Sequence, residues 1–164
     1  MAAHNGVSLS WGGLDTALTH AAKKLGNTQA LMDSVGEALV SGTLKRFDAE
    51  KDPEGQPWEP SGRAQEDGGK TLTNKGHLRD SIDKKATSDT VMVGSNLKYA
   101  RIHQKGGTIT PKKAKKLVFK GRGGKKVAVD KVTMPARPFL GVSEEDMQDV
   151  RDTFANFLSR AFKA

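Results

Sequence analysis

The sequence predicts an α+β fold: N-terminal helices, a polar loop, a small and mostly antiparallel β-sheet with a long basic hairpin, and a C-terminal amphipathic helix. Three observations predict this class. Apolar residues recur at helical spacing over residues 28–47, short apolar runs separated by glycine follow residue 90, and one apolar face continues over residues 143–161. We expect residues 1–164 to form a single domain, because this length suffices for a core without disulfides or metal.

The N-terminal third is predicted to be mainly helical. Residues 7–11 alternate apolar and polar side chains, as a short half-buried strand does, and residues 14–25 form the first candidate helix. Thr28 can cap a second helix, in which Gly36 and Gly42 are tolerable where another backbone packs closely. The apolar face of this second helix consists of Met32, Val35, Leu39 and Phe47.

A turn and a loop follow. The DPEG sequence at residues 52–55 predicts a turn, and the prolines after it require an extended segment up to residue 60. Residues 61–74 contain only two apolar side chains, so we predict a flexible loop at about residues 59–75. Residues 76–82 are expected to form a short helix that buries Leu78 and Ile82.

The second half contains the strand candidates. Residues 90–94 predict a buried strand, and residues 97–104 predict a short helix with Tyr99 and Ile102 facing inward. Further strands are expected at residues 108–110, 116–119 and 127–133, and the glycine-rich residues 121–124 form the hairpin turn between the last two.

The final helix has the strongest pattern. It opens at Ser143 with three acidic residues, close to a capping box, at the positive end of the helix. Its apolar face consists of Met147, Val150, Phe154, Phe157, Leu158 and Ala161.

Positive charge is concentrated in one part of the chain. Residues 90–129 contain 11 basic and 0 acidic residues, which leaves 16 basic and 19 acidic residues elsewhere. We call the densest part, expected to be flexible at about residues 111–126, the basic tract: Lys112, Lys113, Lys115, Lys116, Lys120, Arg122, Lys125 and Lys126. It is either a solvated loop that aids solubility or a hairpin that reaches DNA or an acidic neighbour.

Two other segments are candidates for contacts. Asp48, Glu50, Asp52 and Glu54 form an acidic corner, which is interpreted as solvated in preference to a cation site. Residues 134–141 are stiffened by two prolines and present Arg137 and Phe139. Phe139 anchors this segment in the chain's own core or contacts a partner, and Arg137 can face a partner in either case.

The sequence does not indicate catalysis. There is no cysteine, which excludes disulfides, thiolate chemistry and cysteine metal sites, and which fits synthesis in a reducing cytoplasm. The histidines His4, His20, His77 and His103 have no metal-site spacing, although His77 and His103 could meet in space. Residues 121–124 lack the GKS or GKT of a phosphate loop. We therefore predict no catalytic residue, no metal and no cofactor, and no 18-residue apolar stretch indicates a membrane span.

Several motifs in a fixed order carry a resemblance. They are RF at residues 46–47, DPEGQPW at 52–58, GHLRDSI at 76–82, VGSN at 93–96 with YA at 99–100, IHQ at 102–104, GG at 106–107, and MPARPFLG at 134–141. In this order they resemble the phage virion morphogenesis family, the tail-completion proteins of Mu-like tailed phages and prophages. The resemblance spans about residues 30–160 but adds nothing for residues 61–74 and the basic tract.

The resemblance implies a non-enzymatic structural protein of the virion, assembled in the host cytoplasm. It implies a ring, with six-fold symmetry expected, at the head–tail junction or the head-proximal end of the tail. Its partners would be copies of itself, other neck, connector, tail-tube or terminator proteins, and DNA in the lumen, with no membrane. The residues we expect to contact partners are Asp52, Glu54, Trp58, Tyr99, Arg137 and Phe139.

Two hypotheses concern the basic tract within such a ring. It pairs with the acidic corner of a neighbouring subunit, since a ring needs two different complementary patches, or it faces the DNA path. A stand-alone nucleic-acid-binding domain is the alternative function, and a nuclease lacks a credible metal site.

Overall fold

The computed structural model describes residues 7–8 and 28–163. The helices are α1 (Thr28–Ala49), α2 (Gly62–Asp67), α3 (His77–Asp80), α4 (Ala100–Lys105) and α5 (Glu144–Lys163). The strands are β1 (Val7–Ser8), β2 (Ile82–Ala86), β3 (Val91–Ser95), β4 (Gly107–Ile109), β5 (Leu117–Lys120), β6 (Lys126–Val129) and β7 (Val132–Met134). The predicted α+β class is confirmed.

The core lies between α1 and the elements on either side of it. α1 packs against α5 and against strands β2 and β3. The apolar residues predicted for α1 are all buried there, because they recur at helical spacing on one side of the helix. The buried apolar side chains are Leu31, Met32, Val35, Leu39, Phe47, Trp58, Leu78, Ile82, Val93, Ala100, Phe139, Leu140 and Val150.

Strands β1, β3 and β2 form an antiparallel sheet in that order, with β3 in the middle. Strand β2 was not predicted. Ile82 was expected at the end of a helix, but α3 ends at Asp80 and Ile82 begins β2, opposite Ser95 of β3. The IDKKA sequence of β2 does not predict a strand, because most of its side chains are polar.

The remaining four strands form one long hairpin. β4 pairs with β7 and β5 pairs with β6, both antiparallel, so the second half of residues 107–134 runs back along the first half. We call this hairpin the arm. The single strand predicted at residues 127–133 is wrong, since Asp130 and Lys131 separate β6 from β7. Opposite these two residues lie the seven residues 110–116, which belong to neither pairing. Because seven residues face two, the two ladders cannot share one register.

The local signals at turns and caps are confirmed. In the DPEG turn, the Gly55 amide donates to the Asp52 carbonyl at 3.0 Å. At the start of α5, the Asp146 amide donates to Ser143 Oγ at 3.1 Å and the Ser143 amide donates to Asp146 Oδ2 at 2.8 Å. This reciprocal pair is a capping box with aspartate in place of glutamate.

The loop predicted at residues 61–74 contains the six-residue helix α2. Ser61 caps it by accepting the Ala64 amide at 3.2 Å, and Gly68 ends it. The flexibility of this loop stays a prediction. The helix expected at residues 14–25 and the side chain of Ala161 lie outside the described residues. Among the described helices, none combines the length and the apolar character that crossing a membrane requires.

Candidate assembly surface

Residues 134–141, the proline segment, join the arm to α5 and are held by a buried arginine of α1. The Arg46 side chain donates from Nε to the Phe139 carbonyl and from Nη2 to the Gly141 carbonyl, both at 2.9 Å. Its Nη1 lies 2.5 Å from Oδ2 of Asp146 in α5. One guanidinium therefore fixes α1, α5 and the proline segment together.

Gln104 of α4 holds the same segment from the other side. Its Nε2 donates to the Leu140 carbonyl at 2.7 Å, and its Oε1 accepts the amides of Phe139 and Leu140 at 3.0 and 2.9 Å. The amide side chain thus satisfies three backbone groups that a proline-containing segment cannot pair in a sheet.

Phe139 and Trp58 anchor the proline segment in the core. The Phe139 ring lies 5.3 Å from the Phe47 ring, which meets the Trp58 ring edge-on at 5.5 Å. Trp58 Nε1 donates to the Pro138 carbonyl at 2.9 Å. Both predicted partner-contact residues therefore lie inside the chain's own fold, as the internal alternative for Phe139 expected.

Arg137 is also buried, with only 4% of its surface exposed. Its Nε donates to the Glu59 carbonyl at 2.6 Å, and its amide donates to the His103 carbonyl at 2.7 Å. Burial lowers the pKa of this guanidinium. Arg137 thus fixes the extended segment before α2 to the start of the proline segment, and its contact with a partner stays a prediction.

Tyr99 lies on the surface, with 43% of the residue exposed, although the sequence predicted an inward position. Its ring meets the His103 ring edge-on at 6.0 Å. Tyr99, His77 and His103 line a cavity of about 190 Å³. His103 Nδ1 is buried there without a hydrogen-bond partner in the structure. Burial, followed by the charge of Arg137, lowers the pKa of His103, so this environment favours the neutral imidazole.

The two histidines thus meet at one cavity, as the sequence allowed. Over residues 28–163 and 7–8, however, the structure places no three His, Asp or Glu side chains together as a metal site needs.

The acidic corner is used mainly within the chain. Asp48 lies 3.3 Å from Arg79 Nη2 and 3.9 Å from Lys70 Nζ, and Glu50 accepts the Thr71 amide at 2.7 Å. Asp52 stabilises its own turn by accepting the Gln56 amide at 2.7 Å. Glu54 is exposed at the tip of the turn. Of the two acidic partner-contact candidates, Glu54 is therefore the more accessible.

The arm presents the basic tract on its surface. Every lysine of the tract is exposed, and Arg122 lies in the turn at the tip, residues 122–124. Lys116 Nζ lies 3.5 Å from Asp130 across the arm. The arm also exposes apolar side chains, with Val118 at 65% and Phe119 at 44%. It is therefore a cationic hairpin with exposed apolar residues, and its contact with DNA or an acidic neighbour stays a prediction.

The base of the arm is closely packed. Gly106 has φ of +66°, and a Cβ atom at this position would lie 2.7 Å from the backbone nitrogen of Ala136. Only glycine fits both the backbone conformation and the space. The first strand of the arm therefore starts directly against the proline segment.

Sequence reasoning missed Arg46, Gln104 and Asp146 as the residues that organise this surface. One signal was available for Arg46, because it lies on the same side of α1 as Leu39 and Phe47. A charged residue within an apolar stripe needs a buried partner. The partner, Asp146, is one hundred residues away, and no local pattern connects the two.

Comparisons with known proteins agree with one another. The model of the phage virion morphogenesis family matches residues 9–159. Protein G of Escherichia phage Mu, a candidate capsid assembly protein, is 29% identical over 146 residues, which cover 82% of each chain. The Mu-like prophage FluMu G protein 2 of Haemophilus influenzae is 27% identical over 150 residues, which cover 92% of each chain. No solved structure gives a significant match.

Proposed function

The chain belongs to the phage virion morphogenesis family, which gives it a role in phage assembly, and we propose that it completes the tail as a ring that joins tail to head around the DNA path. In this proposal it is a non-enzymatic structural component of the neck, made and assembled in the host cytoplasm. Its partners are further copies of itself and the adjoining neck, connector or tail proteins.

The observation that carries the proposal is that basic and acidic residues lie on two different segments of the chain, both next to the firmly held proline segment. We call the proline segment and the side chains that hold it the frame. A ring closes through heterologous contacts, in which one patch on each subunit meets a different patch on the next. The exposed lysines of the arm are one such patch. The acidic corner, with Glu54 at its tip, begins an acidic region on a separate segment of the chain.

The frame gives each patch a defined position. Arg46, Gln104 and Arg137 bond the proline segment to α1, α4 and the segment before α2. The arm therefore starts from a rigid base, and the acidic turn is held beside the same base. Preorganised patches lose less conformational entropy when subunits associate.

The test is an assembly measurement on infected-cell extracts that lack this protein. We expect such extracts to contain separate filled heads and tails, and we expect the added purified protein to join them. Light scattering of the protein, alone and with purified tails, gives the mass of the ring. Extracts that form joined particles without the protein would contradict the proposal.

A second role for the arm is contact with DNA inside the ring. The one-sided charge favours it, since 11 basic and 0 acidic residues occur in residues 90–129. Such contacts would be to phosphates without base selection, and binding would weaken steeply with salt. Retention on DNA that does not change between low and moderate salt would count against this role. A monomer that binds DNA and ignores tails would instead favour a stand-alone nucleic-acid-binding domain.

A further inference from the structure

One face of the arm's outer half is apolar. The register pairs Leu117 with Val129 and Phe119 with Val127, and side chains two residues apart along a strand lie on the same face. These four residues therefore form a continuous apolar stripe. Phe119 is 44% exposed, and the other three are only half-buried. A two-stranded ribbon is at best marginally stable in water without a surface that covers such a face.

The charge on the arm restricts what can cover the stripe. Lys120 lies directly opposite Lys126 in the register, on the face of the ribbon opposite the stripe, and like charges at this spacing destabilise a ladder. The basic tract contributes eight basic residues, and residues 111–126 contain no acidic one. Two such arms would repel each other, whereas an anionic surface that covers the stripe would also be attracted by the basic tract around it.

The acidic segment, residues 48–67, matches this requirement. It contains seven acidic and two basic residues. Pro57 and Pro60 are exposed within it, between the acidic side chains, and offer the stripe an apolar contact. Within one chain, the tip of the arm lies against α2 at the end of this segment. The structure thus already brings the cationic tip and the acidic segment together.

From this complementarity we infer that the arm of one copy docks on the acidic segment of the next copy, so that the contact between tip and α2 is exchanged between neighbours. The inference rests on the proposed ring and names the surfaces that close it. When an identical element is exchanged between copies, the same residues are in contact as within one chain. Subunits are therefore linked at a low cost in free energy. The covering of the stripe then depends on assembly.

Charge reversal in two separate chains tests the exchange. The tip variant carries Lys120→Glu, Lys125→Glu and Lys126→Glu, and the segment variant carries Glu54→Lys, Glu66→Lys and Asp67→Lys. Each variant alone is expected to need about tenfold more protein than wild type for half-assembly, since three charges of one surface become repulsive towards the other surface. Equimolar mixing is expected to restore assembly, because every contact in an alternating ring is then between opposite charges. Circular dichroism checks that both variants fold.

Controls separate this inference from the proposed function. One chain that carries all six substitutions should assemble like wild type, and Lys85→Glu with Lys98→Glu, on the body, should leave assembly unchanged. Suppose that wild type and the chain with six substitutions assemble, but the mixture of tip variant and segment variant does not. The contact is then made within one chain and the inference is wrong, although the proposed ring is not contradicted. If wild type forms no multimer alone or on tails, both the ring and the inference are contradicted.

Discussion

Nη1 of Arg46 lies 2.5 Å from Oδ2 of Asp146, and both side chains are buried between α1 and α5. The same guanidinium donates to the carbonyls of Phe139 and Gly141. The ion pair therefore links the two long helices to the segment from which the arm extends. This contact therefore contributes both to the stability of the body and to the position of the arm.

Removal of one partner of this pair should be strongly destabilising. Asp146→Ala leaves the Arg46 charge buried and unpaired, and we expect the free energy of unfolding to fall by about 3–5 kcal/mol. Urea denaturation measures it. The nearby exposed pair of Lys45 and Glu145, 2.6 Å apart, provides the control, because Lys45→Ala should change stability little. Equal losses for the two variants would show that the buried pair has no special role.

Gly42 should not tolerate alanine, although alanine is favoured in a helix by about 1 kcal/mol. A Cβ atom at this position would lie 1.7 Å from Oδ1 of Asp146, so the helices would have to separate. We expect Gly42→Ala to lower the free energy of unfolding by about 1–3 kcal/mol. Ser41→Ala, at the exposed neighbouring position of α1, is the control and should be neutral or stabilising. A stabilising Gly42→Ala would mean that α1 and α5 are farther apart than described.

Gln104 should be required for the position of the proline segment. Gln104→Leu keeps the size of the side chain but leaves the amides of Phe139 and Leu140 and the Leu140 carbonyl without this partner. We expect a loss of about 1–3 kcal/mol in urea denaturation. Gln148→Leu, on the exposed side of α5, should cost much less. Faster amide hydrogen exchange at residues 139 and 140 would locate the effect, and unchanged exchange would contradict the assigned role.

Stability should fall on mild acidification because of His103. Its pKa is lowered in the folded state by burial and by Arg137, whereas the unfolded chain takes up a proton near the ordinary value of about 6.5. Below that value the unfolded state binds more protons, so the free energy of unfolding decreases as the pH falls towards the lowered pKa. His103→Gln should reduce this slope between about pH 7.5 and 5.5. Parallel slopes for wild type and His103→Gln would refute the effect.

Local signals predicted much of the fold. The helical spacing of Met32, Val35 and Leu39 located α1, and the Ser143 capping box located the start of α5. Strand β2 was missed because a lysine interrupts even its inward face. Lys84 lies on the same face as Ile82 and pairs there with acidic side chains of α1, so no alternation of apolar and polar residues marks the strand. The break between β6 and β7 depends on which residues face each other across the arm, and a sequence pattern does not specify register there.

The candidate surface was predicted only in part. Unbalanced charge is visible in a sequence, so the basic arm was found, and its exposure agrees with the prediction. Trp58, Arg137 and Phe139 stand out by residue type, but type does not show whether a side chain faces the core or a partner. The structure places all three inside, and partner contact by any of them stays a prediction.

The mass of the assembled protein tests the central claim most directly, namely that the cationic arm joins copies of this chain. We predict that wild type forms a multimer, alone or on purified tails, and that Lys112→Glu, Lys113→Glu, Lys115→Glu and Lys116→Glu together leave a folded monomer by light scattering. A variant with these four substitutions that assembles to the wild-type mass would contradict the account.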